Sequence, residues 1–441
     1  MTPITIFEFE EWPSRGNLIE KEYAKTIKLE ESDYKIIDFL KDKGIIDFDV
    51  LKNSGIRIKA KQHIGSVQFS KFNLRIIPKI YKKTDPEIWK NITQCMHFAR
   101  NYSHEKMVHF EKIPISSNDV LLQDFLIWTL VYECQELLRR GLLKSYVTHD
   151  ENLPYLKGKL VLKNQFQNDI RKKVLFFCEY DELEFDNIEN RIILQTLIQC
   201  RHIAINLELK KEIFKLLQQF SGGIQKVSIK VDDVKRVQRS YTRQNIQYKD
   251  AHIICEMILE NKGISDFYHF GKESSFSIPF FVDMNMVFED FVTRLFTEYY
   301  SDDEEIIPQA KQKAWNVNES NRGGVSMIPD IVLKNKKGEI TIIDAKYKSK
   351  LNVGDLYQIG FYIHEYTSKN TQQIIKKAYA ILPKFYEDDD NQKNFEATKS
   401  KIKIHAKFIS VNDYLELIKN NDQKIKNKIK EEIIDINPIT N

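Results

Sequence analysis

The spacing of apolar residues changes along this chain. In residues 1–82 it alternates. Ile4 and Ile6, then Ile56-Arg57-Ile58-Lys59, Val67-Gln68-Phe69 and Phe72-Asn73-Leu74-Arg75-Ile76 put apolar side chains at every second position, as half-buried strands do. Ser32-Asp33 reads as the cap of a short helix through Leu40. A small, mostly β N-terminal module is expected. Across 83–270 the apolar positions recur every three or four residues, predicting helices over Ile88–Arg100, Leu121–Arg140, Asn190–Leu209, Lys211–Phe220 and Asp250–Lys262. Arg139-Arg140-Gly141 and Ser221-Gly222-Gly223 supply helix stops. Only Tyr155–Leu162 and Lys226–Val231 read as extended pieces in this mainly helical middle region.

In 271–441 the two periods mix. Val287, Phe288, Phe291, Val292, Leu295 and Phe296 form the apolar stripe of a helix over Met284–Tyr300. Strands Ile331–Leu333 and Ile340–Ile343 meet over the turn residues Asn335, Lys336, Lys337 and Gly338. A helix over Gly354–Tyr366, strands at Ala378–Leu382 and Ile402–Ile409, and a helix over Val411–Lys419 follow. The Lys-rich, then acidic, tail is expected to be frayed or weakly helical. The fold class expected is α/β, more closely an α+β multidomain chain ending in a mixed sheet flanked by helices.

The candidate chemistry lies in this last part. Asp330 precedes the first short strand; Asp344 and Lys346 follow the second. Strand alternation puts Asp344 and Lys346 on one face and turns Ala345 away. Two carboxylates able to share a hard cation, beside an ammonium, suit metal-assisted phosphodiester hydrolysis. Asp33-Tyr34-Lys35 repeats the Asp-x-Lys pattern without such a setting, so context carries the reading. Glu289 lies just off the stripe of its helix as a third carboxylate. Gln358 and Tyr362, four apart, share a helical face.

The order Glu289, Pro329-Asp330, Asp344-Ala345-Lys346, Gln358-x-x-x-Tyr362 resembles the PD-(D/E)xK restriction-endonuclease-like superfamily in its RecB-like variant. More narrowly it resembles the McrC family, the nuclease subunits of McrBC-type modification-dependent restriction systems. Asp283-Met284-Asn285, the core IPDIVL…IDAKYK, the phrase LYQIGFY, the segment His63–Ile80 and Asn190-Arg191 all carry the likeness. The resemblance implies a Mg²⁺- or Mn²⁺-dependent DNA endonuclease with Asp330, Asp344, the Ala345 carbonyl and Glu289 around the metal. Lys346 would position or activate water, and Gln358 and Tyr362 would orient the DNA backbone. The partners implied are DNA carrying modified cytosine and a McrB-like AAA+ GTPase hexamer. Two other readings stay open: a non-catalytic activator of that GTPase ring, and a stand-alone RecB-like repair nuclease.

Composition narrows the field. At 441 residues the chain has room for two or three domains, read as 1–82, 83–270 and 271–441. A net charge of +4 gives no global field for nucleic acid, so any DNA surface must be local. Five scattered cysteines without a C-x-x-C disfavour structural zinc or an iron–sulfur cluster and fit a reducing cytoplasm. The acidic start, MTPITIFEFEEW, predicts no signal peptide, and no apolar run suits a membrane span. No G-x-x-x-x-G-K-[ST] loop occurs and Gly323-Gly324 cannot replace one, so no nucleotide is expected on this chain itself. His97, His104 and His109 lack the spacing of a metal-binding helix pair. Lys235, Arg236, Arg239 and Arg243, with Tyr241 interleaved, read equally as a phosphate or partner contact and as a solvated linker.

Overall fold

The computed structural model describes residues 2–51, 55–81, 88–102, 122–204, 206–260, 279–300, 304–316, 324–336, 338–369, 375–386, 394–397, 403–420 and 424–434. It divides into two compact units, one of residues 1–125 with 273–441 and one of residues 126–272. The first and last expected segments therefore share a unit. The reason is a sheet that draws on both: β1 (Thr2–Phe7), β2 (His63–Gln68), β3 (Phe72–Ile77) and β4 (Phe280–Asp283). The strand order is β1-β3-β2-β4, with β1 parallel to β3 and β4 antiparallel to β2. Gly65 sits on β2 at φ +145°, and a Cβ there would lie 2.0 Å from the Phe280 carbonyl oxygen. Glycine is what lets β4 approach.

The N-terminal stretch is less purely β than expected, because Leu18–Thr26 and Glu31–Asp42 are both helical. Asp33 does not cap the second helix from outside. It lies within the first turn, accepting from Glu30 N–H at 2.9 Å and from Ser70 N–H at 2.8 Å.

The C-terminal part is a six-stranded mixed sheet of β5 (Glu304–Pro308), β6 (Ile331–Asn335), β7 (Ile340–Ala345), β8 (Ile375–Pro383), β9 (Asn394–Glu396) and β10 (Lys403–Ile409). The order is β5-β6-β7-β8-β10-β9; β7, β8 and β10 run parallel and the others antiparallel to their neighbours. Helices α1 (Met284–Tyr299) and α2 (Val353–Lys369) pack on it. Strand alternation sends Ile340, Ile342, Ala378, Ala380 and Leu382 to a core shared with Ile359, Tyr362, Ile363 and Tyr366 of α2. Ile331, Leu333 and Ile343 point the other way and are equally buried, so both faces of the sheet are covered. Each large side chain buried in this way is worth roughly 1.5–3 kcal/mol. The tail is not frayed as far as Ile434: Ile425, Ile429 and Ile433 are buried, and Tyr379 Oη donates to Ile434 O at 2.9 Å.

The second unit departs most from the helical expectation. Ser145–Leu153 and Phe176–Glu184 form a long antiparallel pair, joined by Lys159–Leu160. Both strands are solvated along most of their length, so they carry little apolar alternation to read. The expected helix Asn190–Leu209 is two: Ile188–Ile203 ends at Ala204, and Asn206 caps Leu207–Phe220 by accepting from Glu208 and Leu209 N–H. Residues 226–230 pair in no strand; Val231–Gln238 is a helix. On it Lys235 meets Glu260 at 2.8 Å and Arg236 meets Asp233 at 3.0 Å, while Tyr241 Oη lies 2.9 Å from His252 Nδ1. The basic stretch is thus partly neutralised within its own unit. Among the described residues no helix is long and apolar enough to cross a membrane.

Candidate active site

The hairpin of β6 and β7 builds the centre of the site. Register pairs Ile331 with Ile343, which places Asp330 at the open mouth of the hairpin opposite the end of β7. There Asp330 Oδ2 accepts from Ala345 N–H at 2.6 Å. Beyond β7, Lys346 N–H donates to Ile381 O at 2.8 Å and keeps the chain against β8. Alternation then puts Lys346 Nζ 2.6 Å from Asp344 Oδ2, as the sequence predicts. That contact is close but poorly directed, and Asp344 Oδ2 is buried without a well-formed hydrogen bond.

Electrostatics mark the two aspartates. Asp344 is 1% exposed and Asp330 8%. Burial, with repulsion from Asp344 and Glu289, pushes Asp330 up to about 8. Asp344 is raised too, by burial first, with Lys346 opposing and Glu289 and Asp355 adding. For Lys346 burial works downward, but the neighbouring Asp344 and Asp330 more than offset it and the ammonium is raised.

Glu289, half-buried on α1, is near enough to repel both aspartates, and its Oε1 accepts from Gln309 Nε2 at 3.3 Å. Gln358 Nε2 donates to Tyr362 Oη at 2.7 Å, and that hydroxyl reaches Ile328 O at 3.4 Å. Burial raises the Tyr362 hydroxyl, and the charges of Asp344, Lys346 and Asp330 act on it. The structure thus gathers Asp330, Asp344, Ala345 and Lys346 directly, with Glu289, Gln358 and Tyr362 at their edge.

Among the described residues no group of three or more His, Cys, Asp or Glu stands in a metal-holding arrangement. The donor set nevertheless fits a hard divalent cation. Two buried carboxylates disfavour each other's charge, and one keeps an oxygen without a directed donor. His97 is a core residue, its ring tilted against Tyr102 with centroids 4.5 Å apart and its pKa pulled down to about 3 by burial, whereas His104 and His109 lie outside the described residues.

Three supports were not anticipated from the sequence. Gln309 takes a left-handed φ of 44°, sends its N–H to Asp330 O at 2.7 Å and its amide to Glu289; nothing in the local sequence marks it. Lys348 Nζ grips Asp355 at 2.7 and 2.9 Å, and Asp355 and Asn352 exchange hydrogen bonds at the head of α2. The spacing Asn352-x-x-Asp355 is a capping-box signal that could have been read. Glu8 accepts from Tyr347, across nearly the whole chain.

Comparison with known proteins gives consistent relatives. The chain is 23% identical over 310 residues to the Type IV methyl-directed restriction enzyme EcoKMcrBC of Escherichia coli (strain K12), covering 65% of this chain and 83% of that protein. Its fold is similar to a chain in a Thermococcus gammatolerans assembly of McrB AAA+ hexamers with bound McrC. The TM-score is 0.61 at 19% identity, over 97% of this chain and 100% of that one. The family model for the McrBC 5-methylcytosine restriction system component matches residues 58–375, a span that takes in Glu289, Asp330, Asp344, Lys346, Gln358 and Tyr362. On that match, over well more than half its length, the chain belongs to the McrBC family of restriction system components.

Proposed function

We propose that this chain is the Mg²⁺-dependent DNA endonuclease subunit of a McrBC-like modification-dependent system, with a PD-(D/E)xK nuclease site. One observation carries the reading: Asp330 and Asp344 are buried together at adjoining strand ends, with the Lys346 ammonium 2.6 Å from Asp344. Burying carboxyl groups is costly, and two of them brought together beside an ammonium suit a site that holds a hard cation. Asp330, Asp344 and the Ala345 carbonyl would hold Mg²⁺ or Mn²⁺, with Glu289 in support. Bound there, the cation supplies stabilisation of negative charge on the scissile phosphate. Lys346 holds or activates the attacking water from the same face as Asp344. Gln358 and Tyr362, already joined to each other, receive the DNA backbone. Glu289 and Gln309 tie α1 to the end of β5 and so fix one wall.

The relatives support the assignment of partners. One is described as methyl-directed and another as bound to McrB AAA+ hexamers. In this reading the present chain acts on DNA carrying modified cytosine when joined to a McrB-like AAA+ GTPase hexamer, which it stimulates. The test is cleavage of methylated and unmethylated plasmid with Mg²⁺, with and without that partner and GTP, alongside Lys346→Ala. Cutting that needs partner, GTP and modified DNA supports the proposal. Cutting by the chain alone would make it an independent nuclease. Undiminished cutting by Lys346→Ala would remove the assignment of the site.

A further inference from the structure

Glu8 is 0% exposed, an unusual place for a carboxyl group, and its Oε2 makes no hydrogen bond. Its surroundings explain what it holds. The Glu8 N–H continues the β1–β3 pairing by donating to Ile77 O at 3.0 Å. Its Oε1 accepts from Lys79 N–H at 2.8 Å and from the Tyr347 hydroxyl. Lys79 O in turn accepts from Tyr386 N–H at 3.1 Å, beyond the end of β8. The Pro78-Lys79-Ile80 turn thus ties the N-terminal sheet to the sheet that carries Asp344.

Tyr347 directly follows Lys346. It is 3% exposed, and its ring packs against Phe288 at 5.7 Å and Phe385 at 5.4 Å between centroids. Phe288 precedes Glu289 on α1. One ring therefore adjoins the neighbours of two site residues, and its only rotatable polar end is the hydroxyl held by Glu8. The next residue, Lys348, is pinned to Asp355. Both clamps thus act on the two residues that directly follow Lys346.

Building on the nuclease reading above, we infer that Glu8 is a positioning residue for the nuclease site, fixing Lys346 and Glu289 through Tyr347 from the N-terminal sheet. Burial, outweighing the bonds from Tyr347 and Lys79, pushes Glu8 up to about 8, so near neutral pH its carboxyl is largely protonated. Glu8→Gln is then close to an isostere of the resident form and keeps the accepting oxygen. Glu8→Leu and Tyr347→Phe each break the link while retaining volume.

The experiment compares these three variants and the Glu8→Leu/Tyr347→Phe double variant in the full chain, assembled with its AAA+ partner and GTP. It measures plasmid cleavage with Mg²⁺ as kcat and KM, and amide hydrogen exchange over residues 340–350. Glu8→Leu and Tyr347→Phe are expected to lower kcat about 10- to 100-fold, as losses of supporting contacts around metal sites do, with KM little changed. The double variant should be no worse than the more severe single, since both remove one link. Glu8→Gln should retain wild-type kcat. Exchange at the Lys346 amide should quicken in the two link-breaking variants and not in Glu8→Gln.

Unchanged exchange in Glu8→Leu and Tyr347→Phe overturns the inference. So does wild-type kcat despite faster exchange, or a loss shared by Glu8→Gln that follows melting temperature alone. A wild-type chain that never cuts overturns the nuclease reading instead, and the exchange data still decide whether Glu8 holds the Lys346 strand end.

Discussion

Asp330 Oδ2 accepts the Ala345 N–H at 2.6 Å, so one aspartate holds the main chain between the other aspartate and the lysine. Asp330 is thereby both a ligand candidate and a brace for Asp344 and Lys346. Asp330→Asn leaves an acceptor for Ala345 but removes the ionisable carboxyl that a cation would bind, whose charged form burial, Asp344 and Glu289 all disfavour. Cleavage should fall by about 10²- to 10³-fold or more, while the melting temperature holds or rises, as when a strained active-site group is relieved. Cleavage by Asp330→Asn at the wild-type rate, measured on the same plasmid, would contradict this pairing of roles.

A cation binding at Asp330 and Asp344 binds the native chain and not the unfolded one. Mg²⁺ or Mn²⁺ should therefore raise the melting temperature, with a stabilisation of about 2.7 kcal/mol at a hundredfold excess over Kd. The Asp344→Asn variant should show a much smaller rise, because a neutral amide oxygen lacks the negative charge with which a carboxylate holds a divalent cation. Equal shifts in both proteins would place any bound cation elsewhere.

Gln358 donates to Tyr362 Oη at 2.7 Å and is itself exposed, which suits a pair that presents an amide to a phosphate backbone. Tyr362→Phe keeps the buried ring in the core and removes the hydroxyl. A loss of about 10-fold in cleavage is expected, seen mainly as weaker DNA binding. Fluorescence anisotropy with labelled duplex separates the two terms; unchanged binding and unchanged cleavage would leave the pair a packing feature.

The parts of this fold that can be read in advance are those where burial imposes a period. The stripe from Val287 to Phe296 places α1 within a residue of its observed end, and the Ile331 and Ile340 strands appear where the turn chemistry puts them. The strands Ser145–Leu153 and Phe176–Glu184 are opaque because Tyr146 and Leu183 are exposed and Cys178 is one of the few side chains they bury. The site divides similarly. Asp330, Asp344 and Lys346 are legible because 17 residues of chain and one hairpin bring them together. Glu8 and Tyr347 are 339 residues apart, and no local pattern records a contact of that separation.

Glu8 also predicts a pH dependence of stability. Its carboxyl moves from an ordinary 4.5 to about 8 on folding, chiefly by burial, with Tyr347 and Lys79 opposing and Asp283 adding. The folded state therefore binds the proton more tightly than the unfolded one. Its contribution is fully present below about 4.5 and is lost as pH rises to about 8, on the order of a few kcal/mol. Glu8→Gln should flatten the slope of unfolding free energy in that window. Denaturant titrations of wild type and variant at several pH values check this; parallel slopes would mean that Glu8 is ionised in the folded chain.

Asn190, which carries part of the family likeness, serves the structure of the second unit. It is 0% exposed in the second unit, and its Nδ2 donates to Leu143 O at 2.9 Å and to Phe185 O at 2.7 Å. Its Oδ1 accepts from Tyr248 Oη at 2.7 Å, and that same hydroxyl accepts from Leu143 N–H at 2.8 Å. Arg191 beside it forks onto Asp186 at 2.6 and 2.7 Å. One amide therefore satisfies two carbonyls and one hydroxyl where the hairpin strands lead into a helix. Asn190→Ala leaves these partners unpaired in a buried place, and about 1–3 kcal/mol for each gives a loss of roughly 3 kcal/mol or more. Asn190→Asp should fare no better, because a carboxylate accepts where two donors are needed. Urea unfolding of the full chain, followed by far-ultraviolet circular dichroism, reads the loss as an earlier transition. A midpoint unchanged in both variants would mean that this network does not hold the unit together.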